Sequence, residues 1–472
     1  MDKRKVGIIT FSDGRESVHK ELEELNLEFQ VRLAVTLEQT GEVEPIVARE
    51  IVWTAELAKN EAQRLANEGC ELTIFNFAVW SFPHLAAIAS RFAPGPFLLF
   101  SNINPRYPGM VGMLASAGAL DQIGALHGRI SGDIGDERVL RRVMAFIRAG
   151  STVARLRGET YGLFGGRPMG MYTAVANTDQ WMSLFGIDVE HIDQYEIVRR
   201  SGEAPDDEVE RAFAWLTEKV GNIRYDGKQL TPEKLKLQIR SYIAVREMAK
   251  EKRLDFLGIK GQPELTDNFV TMDVTEAFLN DPYDWNGPKE PIVTATEADM
   301  DGALTMEILK HITGEPVMFA DLRHYDESIG AFDLCNSGNH PTYFANRSYD
   351  PDDNLPQVEF YPQGFYFPAG GASVRHIAAP GRVTLARLAR RRGEYWLAIV
   401  PGEFIGLPRD EAERKAQATQ IEWPHAFTRF EVGPEEFLAE YDSNHIHAAY
   451  GDWTEELIWT ARMLGIRYRV FA

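Results

Sequence analysis

Cysteine is nearly absent: Cys70 and Cys335 are the only two in 472 residues. Two thiols so far apart specify neither a disulfide framework nor a thiolate metal site, and they suit a reducing cytosol. Long apolar runs are also missing, since no stretch approaches the ~18 residues that would span a bilayer. The charged start, Met1 to Lys5, leads directly into an apolar strand pattern with no signal-peptide core. A cytoplasmic protein is therefore expected. Positive charge is in deficit, with 50 Lys and Arg against 70 Asp and Glu, a formal charge of -20. Such a surface repels phosphate backbones and anionic membranes, which argues against nucleic acid and membrane as partners.

What is present is the balance of a globular protein, 44% apolar and 25% charged. The length calls for more than one core, and three domains are expected, at 1–150, 151–313 and 314–472. The first third alternates strand patterns (Val6 to Phe11, Leu72 to Phe77, Pro96 to Phe100) with helix patterns (Glu16 to Leu37, Ala55 to Ala66, Arg138 to Leu156). That alternation writes a parallel sheet with crossover helices. The expected class is α/β: two N-terminal doubly wound α/β domains followed by a β-rich C-terminal domain. The chain closes with a helix pattern through Leu457, Ile458, Ala461 and Leu464, a stop at Gly465, and an extended tail.

The most informative segment runs from Pro291 to Tyr325. Ile292 to Thr296 is a strand pattern ending at Glu297, Gly302 to Ile312 a helix pattern stopped by Gly314, and Pro316 to Ala320 a second strand pattern ending at Asp321. Such a unit predicts two neighbouring parallel strands, with both carboxylates at the carboxyl edge where open sheets bind ligands. Two carboxylates held together repel unless a proton or cation lies between them. Oxygen donors favour magnesium or manganese, and one added imidazole leans toward manganese. An acidic residue at a strand end equally caps the next helix or faces water. Ser443-Asn444-His445-Ile446-His447 offers the imidazole, since His445 and His447 share one side of an extended segment; a surface or loop role is the plainer reading.

Thr296-Glu297-Ala298-Asp299 and Phe319-Ala320-Asp321-Leu322-Arg323 resemble the two acidic signatures of the L-fucose isomerase family, and Ser443-Asn444-His445 resembles its C-terminal Asn-His pair. Asp13-Gly14-Arg15, Gly165-Gly166-Arg167-Pro168-Met169-Gly170, Gly261-Gln262, Asn336-Ser337-Gly338 and Gly370-Gly371 follow in the same order, so the resemblance covers nearly the whole chain. It implies a cytoplasmic aldose-ketose isomerase in which Glu297, Asp321 and His445 bind manganese, with magnesium or cobalt as alternatives, and in which Glu297 and Asp321 also move protons. It further implies that Arg15 reaches the sugar from a neighbouring subunit of a homotrimer or homohexamer, with active sites at subunit interfaces. Trp80, Gln262, Ser337, Trp423 and Asn444 match residues lining the sugar site. Core aromatics and an ordinary turn residue are the plainer readings of Trp80, Trp423 and Gln262.

The chemistry suits those parts, because interconverting an aldose and a ketose needs a base, an acid and charge stabilisation for an enediol. L-Fucose, D-arabinose or a similar aldose is the expected substrate. The chain departs from the family in being shorter and in carrying Ala372 where bacterial members place a sugar-contacting tyrosine. Arg167, His340, Arg375 and His376 could form a basic pocket that would grip an anionic hexose such as sulfoquinovose, whose isomerases are relatives; side chains solvated or paired with nearby acids are the plainer reading. Two other classes compete. A non-catalytic sugar-binding protein needs no clustered carboxylates, and a nicotinamide dehydrogenase needs a G-x-G-x-x-G turn that Ser12-Asp13-Gly14-Arg15 lacks.

Overall fold

The apolar runs of the first third pair as expected. In the computed structural model, which describes residues 2–337 and 340–472, five parallel strands lie in the order Val43–Val47, Arg4–Thr10, Leu72–Phe77, Phe97–Ser101, His127–Ser131. Leu72–Phe77 is buried throughout, as a central strand covered on both faces must be. Helices Glu16–Gln39 and Glu137–Leu156 place Leu33, Leu37, Val143 and Ile147 on one face of the sheet. Helices Ala55–Asn67 and Gly109–Gln122 place Ala62, Leu65, Met113 and Leu120 on the other. Each fully buried leucine or isoleucine there contributes roughly 1.5–3 kcal/mol. This compact unit comprises Met1–Arg155 and Glu455–Gly465, the latter from the closing helix, whose Trp459 meets Phe146 edge-on at 5.1 Å.

The second unit, Leu156–Thr454 with Ile466–Ala472, contains two sheets that matter for the site. One is parallel, ordered Thr294–Thr296, Phe256–Ile259, Thr160–Phe164, Asp188–Ile192. The other is mixed and mostly antiparallel, ordered Gly381–Arg391, His445–Tyr450, Met318–Asp326, Ala331–Cys335, His425–Phe430, Glu394–Phe404, Arg467–Val470. Gly381–Arg391 also pairs along its length with Glu394–Phe404, so this sheet closes into a barrel and leaves few free edges. A small third sheet joins Ala372–Arg375, Glu359–Pro362 and Asn222–Ile223. The class is α/β, with parallel sheets first and a β-rich region last.

One expectation fails. Thr294–Thr296 and Met318–Asp326 are not parallel neighbours: the first lies beside Phe256–Ile259 in the parallel sheet, and the second lies in the barrel, antiparallel to Ala331–Cys335 and His445–Tyr450. Nor does Asp321 end its strand, which continues to Asp326. The helix between them, Met300–Thr313, is buried on nearly every side because it packs against strands of both sheets. It joins two layers instead of crossing over one. Gly338, the last residue of the Asn336-Ser337-Gly338 motif, lies outside the described residues.

Candidate active site

Glu297 follows the carboxyl end of Thr294–Thr296, and Gln262 leaves the neighbouring strand Phe256–Ile259 at the same edge. Glu297 and Ala298 both have left-handed backbones, φ 57° and 49°. Non-glycine residues there cost on the order of 1–3 kcal/mol each, and such strain gathers at functional sites. The turn is held by the Ala298 N–H donating to the Ile259 carbonyl (3.0 Å) and the Asp299 N–H donating to that of Thr296 (3.2 Å). Asp299 then caps the Met300–Thr313 helix, its carboxylate accepting from the Gly302 N–H at 3.0 Å.

The barrel supplies the rest. In the register of its strands Asp321 faces His445 on one side and Cys335 on the other. His445 and His447 share a buried face, with the Phe319 ring lying 4.6 and 4.8 Å from them. His445 Nε2 lies 3.2 Å from Glu297 Oε2 and 3.5 Å from Asp321 Oδ1, so two carboxylates from different sheets approach the same nitrogen. Nδ1 of the same ring lies 2.6 Å from Asp299 Oδ2. Arg387, itself fully buried, clasps Asp299 through Nη1 at 2.5 Å and Nη2 at 3.1 Å, and Nη2 also donates to the Thr173 carbonyl at 3.0 Å. Asp321 is fixed by two amides, Asn444 Nδ2 on Oδ1 (3.2 Å) and Asn336 Nδ2 on Oδ2 (2.9 Å).

The electrostatics follow from this packing. Burial opposes ionisation of Asp299, but the Arg387 charge and the His445 hydrogen bond outweigh it and hold the carboxyl far below its ordinary range. Burial alone would lower His445, yet hydrogen bonds to Asp299 and Glu297 push it up to about 10. Burial pushes Asp321 up to about 6, the charge of Glu297 adding and that of His445 opposing. Behind them, burial and the Asp273 carboxyl drive Glu276 well above the usual range, with the charge of Glu297 contributing.

Other expected residues fall at different distances from this centre. Asn444 touches Asp321 directly, and Ser337 follows the Asn336 that does. Trp423 is buried against Cys335 and Phe367, with the Arg323 guanidinium 5.8 Å from its ring. Gln262 is buried, and its Oε1 meets no hydrogen-bond donor. Arg167 is exposed, over the Tyr172 ring at 5.0 Å. Arg15 and Trp80 belong to the first unit: Arg15 projects outward, held through its guanidinium by Asp13 at 2.9 and 2.7 Å, and Trp80 is half-buried. Ala372 is buried in a strand.

Arg375, His340 and His376 follow the plainer of their two readings. Arg375 is buried and paired with Glu413 (2.6 Å) and Glu359 (3.8 Å), so its charge is already matched. His340 and His376 are fully buried, and burial takes the first well below the usual imidazole range and the second down to about 3, leaving both neutral. Sequence reading missed Asp299, Arg387 and Asn336. The capping position of Asp299 and the Asn336-Ser337 motif were visible signals; Arg387, on a strand far along the chain, left none.

Two tighter acid-and-histidine groups exist among the described residues, Asp333-Cys335-His425 and Glu159-Glu307-His311. In the first, His425 spends both nitrogens, on Asp333 (2.9 Å) and the Gln420 carbonyl (2.9 Å). The second is an ion network in which Lys310 lies 2.5 Å from Glu307 and His311 2.6 Å from Glu159.

Comparison with known proteins identifies the family. Family models of L-fucose isomerase match in succession: the first N-terminal domain over residues 3–158, the second N-terminal domain over 159–314, and the C-terminal domain over 334–471. An L-fucose isomerase of Haemophilus influenzae (strain PittEE) is 26% identical over 98% of this chain and 91% of its own length. One from Vibrio vulnificus (strain YJ016) is 25% identical, and one from Escherichia coli (strain K12 / DH10B) 26%, each over 98% of this chain and 92% of the relative.

Proposed function

Because the chain belongs to the L-fucose isomerase family, and is by that membership an aldose-ketose isomerase, we propose that it works with a divalent cation held by Glu297, Asp321 and His445 on a neutral aldose such as L-fucose or D-arabinose. The observation that carries the reading is His445 Nε2, a buried nitrogen 3.2 Å from Glu297 and 3.5 Å from Asp321, two carboxylates from different sheets. An ion would take the place of the Nε2 proton, and two carboxylates with one imidazole fit manganese, with magnesium or cobalt as alternatives.

Such an ion, when bound, would polarise the two adjacent sugar oxygens and stabilise negative charge on them. The chain's own residues do the rest. Asp299 accepts the Nδ1 proton of His445, so Nε2 faces the carboxylates, and Arg387 keeps Asp299 ionised. One of Glu297 and Asp321 takes the carbon-bound proton beside the sugar carbonyl while the other protonates the carbonyl oxygen, giving the enediol. The first then returns its proton to the former carbonyl carbon as the second takes the proton of the neighbouring hydroxyl, which leaves the ketose. Asn336 and Asn444 stop the Asp321 carboxylate from rotating away during transfer. Gln262, Ser337 and Trp423 form the sugar wall in this reading, and Arg167, which is exposed, is assigned a sugar contact on the family resemblance. Trp80 is assigned a sugar contact, and Arg15 a contact from a neighbouring subunit of a homotrimer or homohexamer, on the family resemblance.

A neutral sugar is favoured over a sulfonated one because Arg375 is neutralised by Glu413 and Glu359, and His340 and His376 carry no charge. A cytoplasmic location is part of the proposal, and no helix among the described residues is long and apolar enough to cross a membrane.

Ketose formation, measured after chelation and after adding back manganese, tests the proposal over L-fucose, D-arabinose, L-arabinose and sulfoquinovose. Chelation should abolish conversion and manganese restore it, with sulfoquinovose the poorest substrate. A protein that binds a sugar without converting it under either condition would instead be a sugar-binding protein.

A further inference from the structure

Gln363 is 2% exposed, and its amide is fully used. Nε2 donates to Asp273 Oδ2 at 2.5 Å and to the Ser337 carbonyl at 3.0 Å, while Oε1 accepts from the Trp423 indole N–H at 3.1 Å. Its own backbone N–H donates to the Gly371 carbonyl at 2.9 Å. A primary amide offers two donors and an acceptor, and here each joins a segment remote in sequence.

Two of those partners belong to the site. Ser337 follows Asn336, whose amide holds Asp321 at 2.9 Å, and Trp423 packs on Cys335, the cross-strand neighbour of Asp321. A buried indole N–H needs a partner, and the Gln363 oxygen decides which way that ring stands.

From this geometry we propose that Gln363 is a positioning residue for the isomerisation, fixing the Trp423 indole and the Asn336-Ser337 peptide around Asp321. The inference rests on the isomerase reading. Gln363 sets the wall against which the sugar lies and acts through Trp423 and Ser337.

The test is a double-mutant cycle on the manganese-loaded enzyme with the aldose it converts best, using Gln363→Leu, Trp423→Phe and the double variant, with Gln363→Met as a second, better volume match. Melting temperature and manganese content are measured on each. Leaving the buried indole donor unsatisfied costs about 1–3 kcal/mol, so Gln363→Leu should raise KM about tenfold, with a smaller change in kcat and native manganese content. In the Trp423→Phe background, with no indole N–H to satisfy, the same change should raise KM less than about threefold, because contacting pairs are non-additive. Equal fold-changes in both backgrounds, or a native KM in a folded Gln363 variant, overturn the proposal. Failure of both Gln363 variants to fold assigns the amide to the core and overturns it too. A native protein that converts no aldose removes the isomerase reading and this inference with it, an outcome separate from the others.

Discussion

Asp299 Oδ2 lies 2.6 Å from His445 Nδ1, so a fully buried acid determines which nitrogen of the imidazole faces Glu297 and Asp321. Metal-binding histidines depend on such carboxylate partners, whose loss typically costs 10–100-fold in affinity. Asp299→Asn should therefore weaken manganese binding by ~10–100-fold in a calorimetric titration. Arg387 loses its counter-charge in the same variant, and breaking a buried pair from one side costs about 3–5 kcal/mol, visible as a lower urea midpoint. Native manganese affinity in Asp299→Asn would remove the orienting role.

Gly302 tests the same arrangement from the helix side. A Cβ built there would lie 2.7 Å from Asp299 Oδ2 and 2.8 Å from Arg387 Nη1, closer than side-chain contacts allow. On helix propensity alone Gly302→Ala should stabilise by about 1 kcal/mol. The opposite is expected: alanine pushes Asp299 off its helix cap and off His445, lowering both melting temperature and manganese affinity. A more stable variant with native metal binding would show that the clasp has room to spare.

Local elements were readable because each is written in its own few residues: the helices Glu16–Gln39 and Glu137–Leu156 and the strand Leu72–Phe77 all stand where periodicity puts them. Which sheet a strand joins is a tertiary matter, and there the reading of Met318–Asp326 as a parallel neighbour failed. One signal was available. The Met300–Thr313 helix carries apolar residues around much of its circumference, the mark of a helix covered by more than one layer. Arg375 shows the same limit: the acid that pairs with it, Glu413, is 38 residues away and cannot be picked out along the chain. Glu297, Asp321 and His445 could be listed from motifs, but the acid and guanidinium that orient them, Asp299 and Arg387, are 88 residues apart and meet only in three dimensions.

Asp273 should leave a pH signature on stability. Burial raises its carboxyl to about 8, against about 3.9 in an unfolded chain. The folded state thus holds a proton that the unfolded state releases, so the contribution is complete below about pH 4 and is lost as pH rises through 8. Asn at this position cannot ionise. Urea midpoints at pH 5 and pH 8.5 should show Asp273→Asn gaining on the native protein by a few kcal/mol across that interval. A pH-independent difference would mean that Asp273 is ionised in the fold.

Assembly offers a last prediction. The Gly109–Gln122 helix buries Met113, Ala117 and Leu120 against its sheet, yet leaves Met110, Val111 and Leu114 about half exposed, with Ile103 more so. In the proposed homotrimer or homohexamer, exposed apolar side chains of this size would seat a second copy of the chain. Val111→Glu with Leu114→Glu should shift the mass measured by light scattering toward the monomer while leaving the fold intact, since neither side chain belongs to the core. If Arg15 serves a neighbour's sugar site, activity should fall together with mass in that variant. Arg15→Ala should then lower activity while the assembly stays whole. Full activity in a proven monomer would place every sugar contact within one chain and remove Arg15 from a neighbour's site.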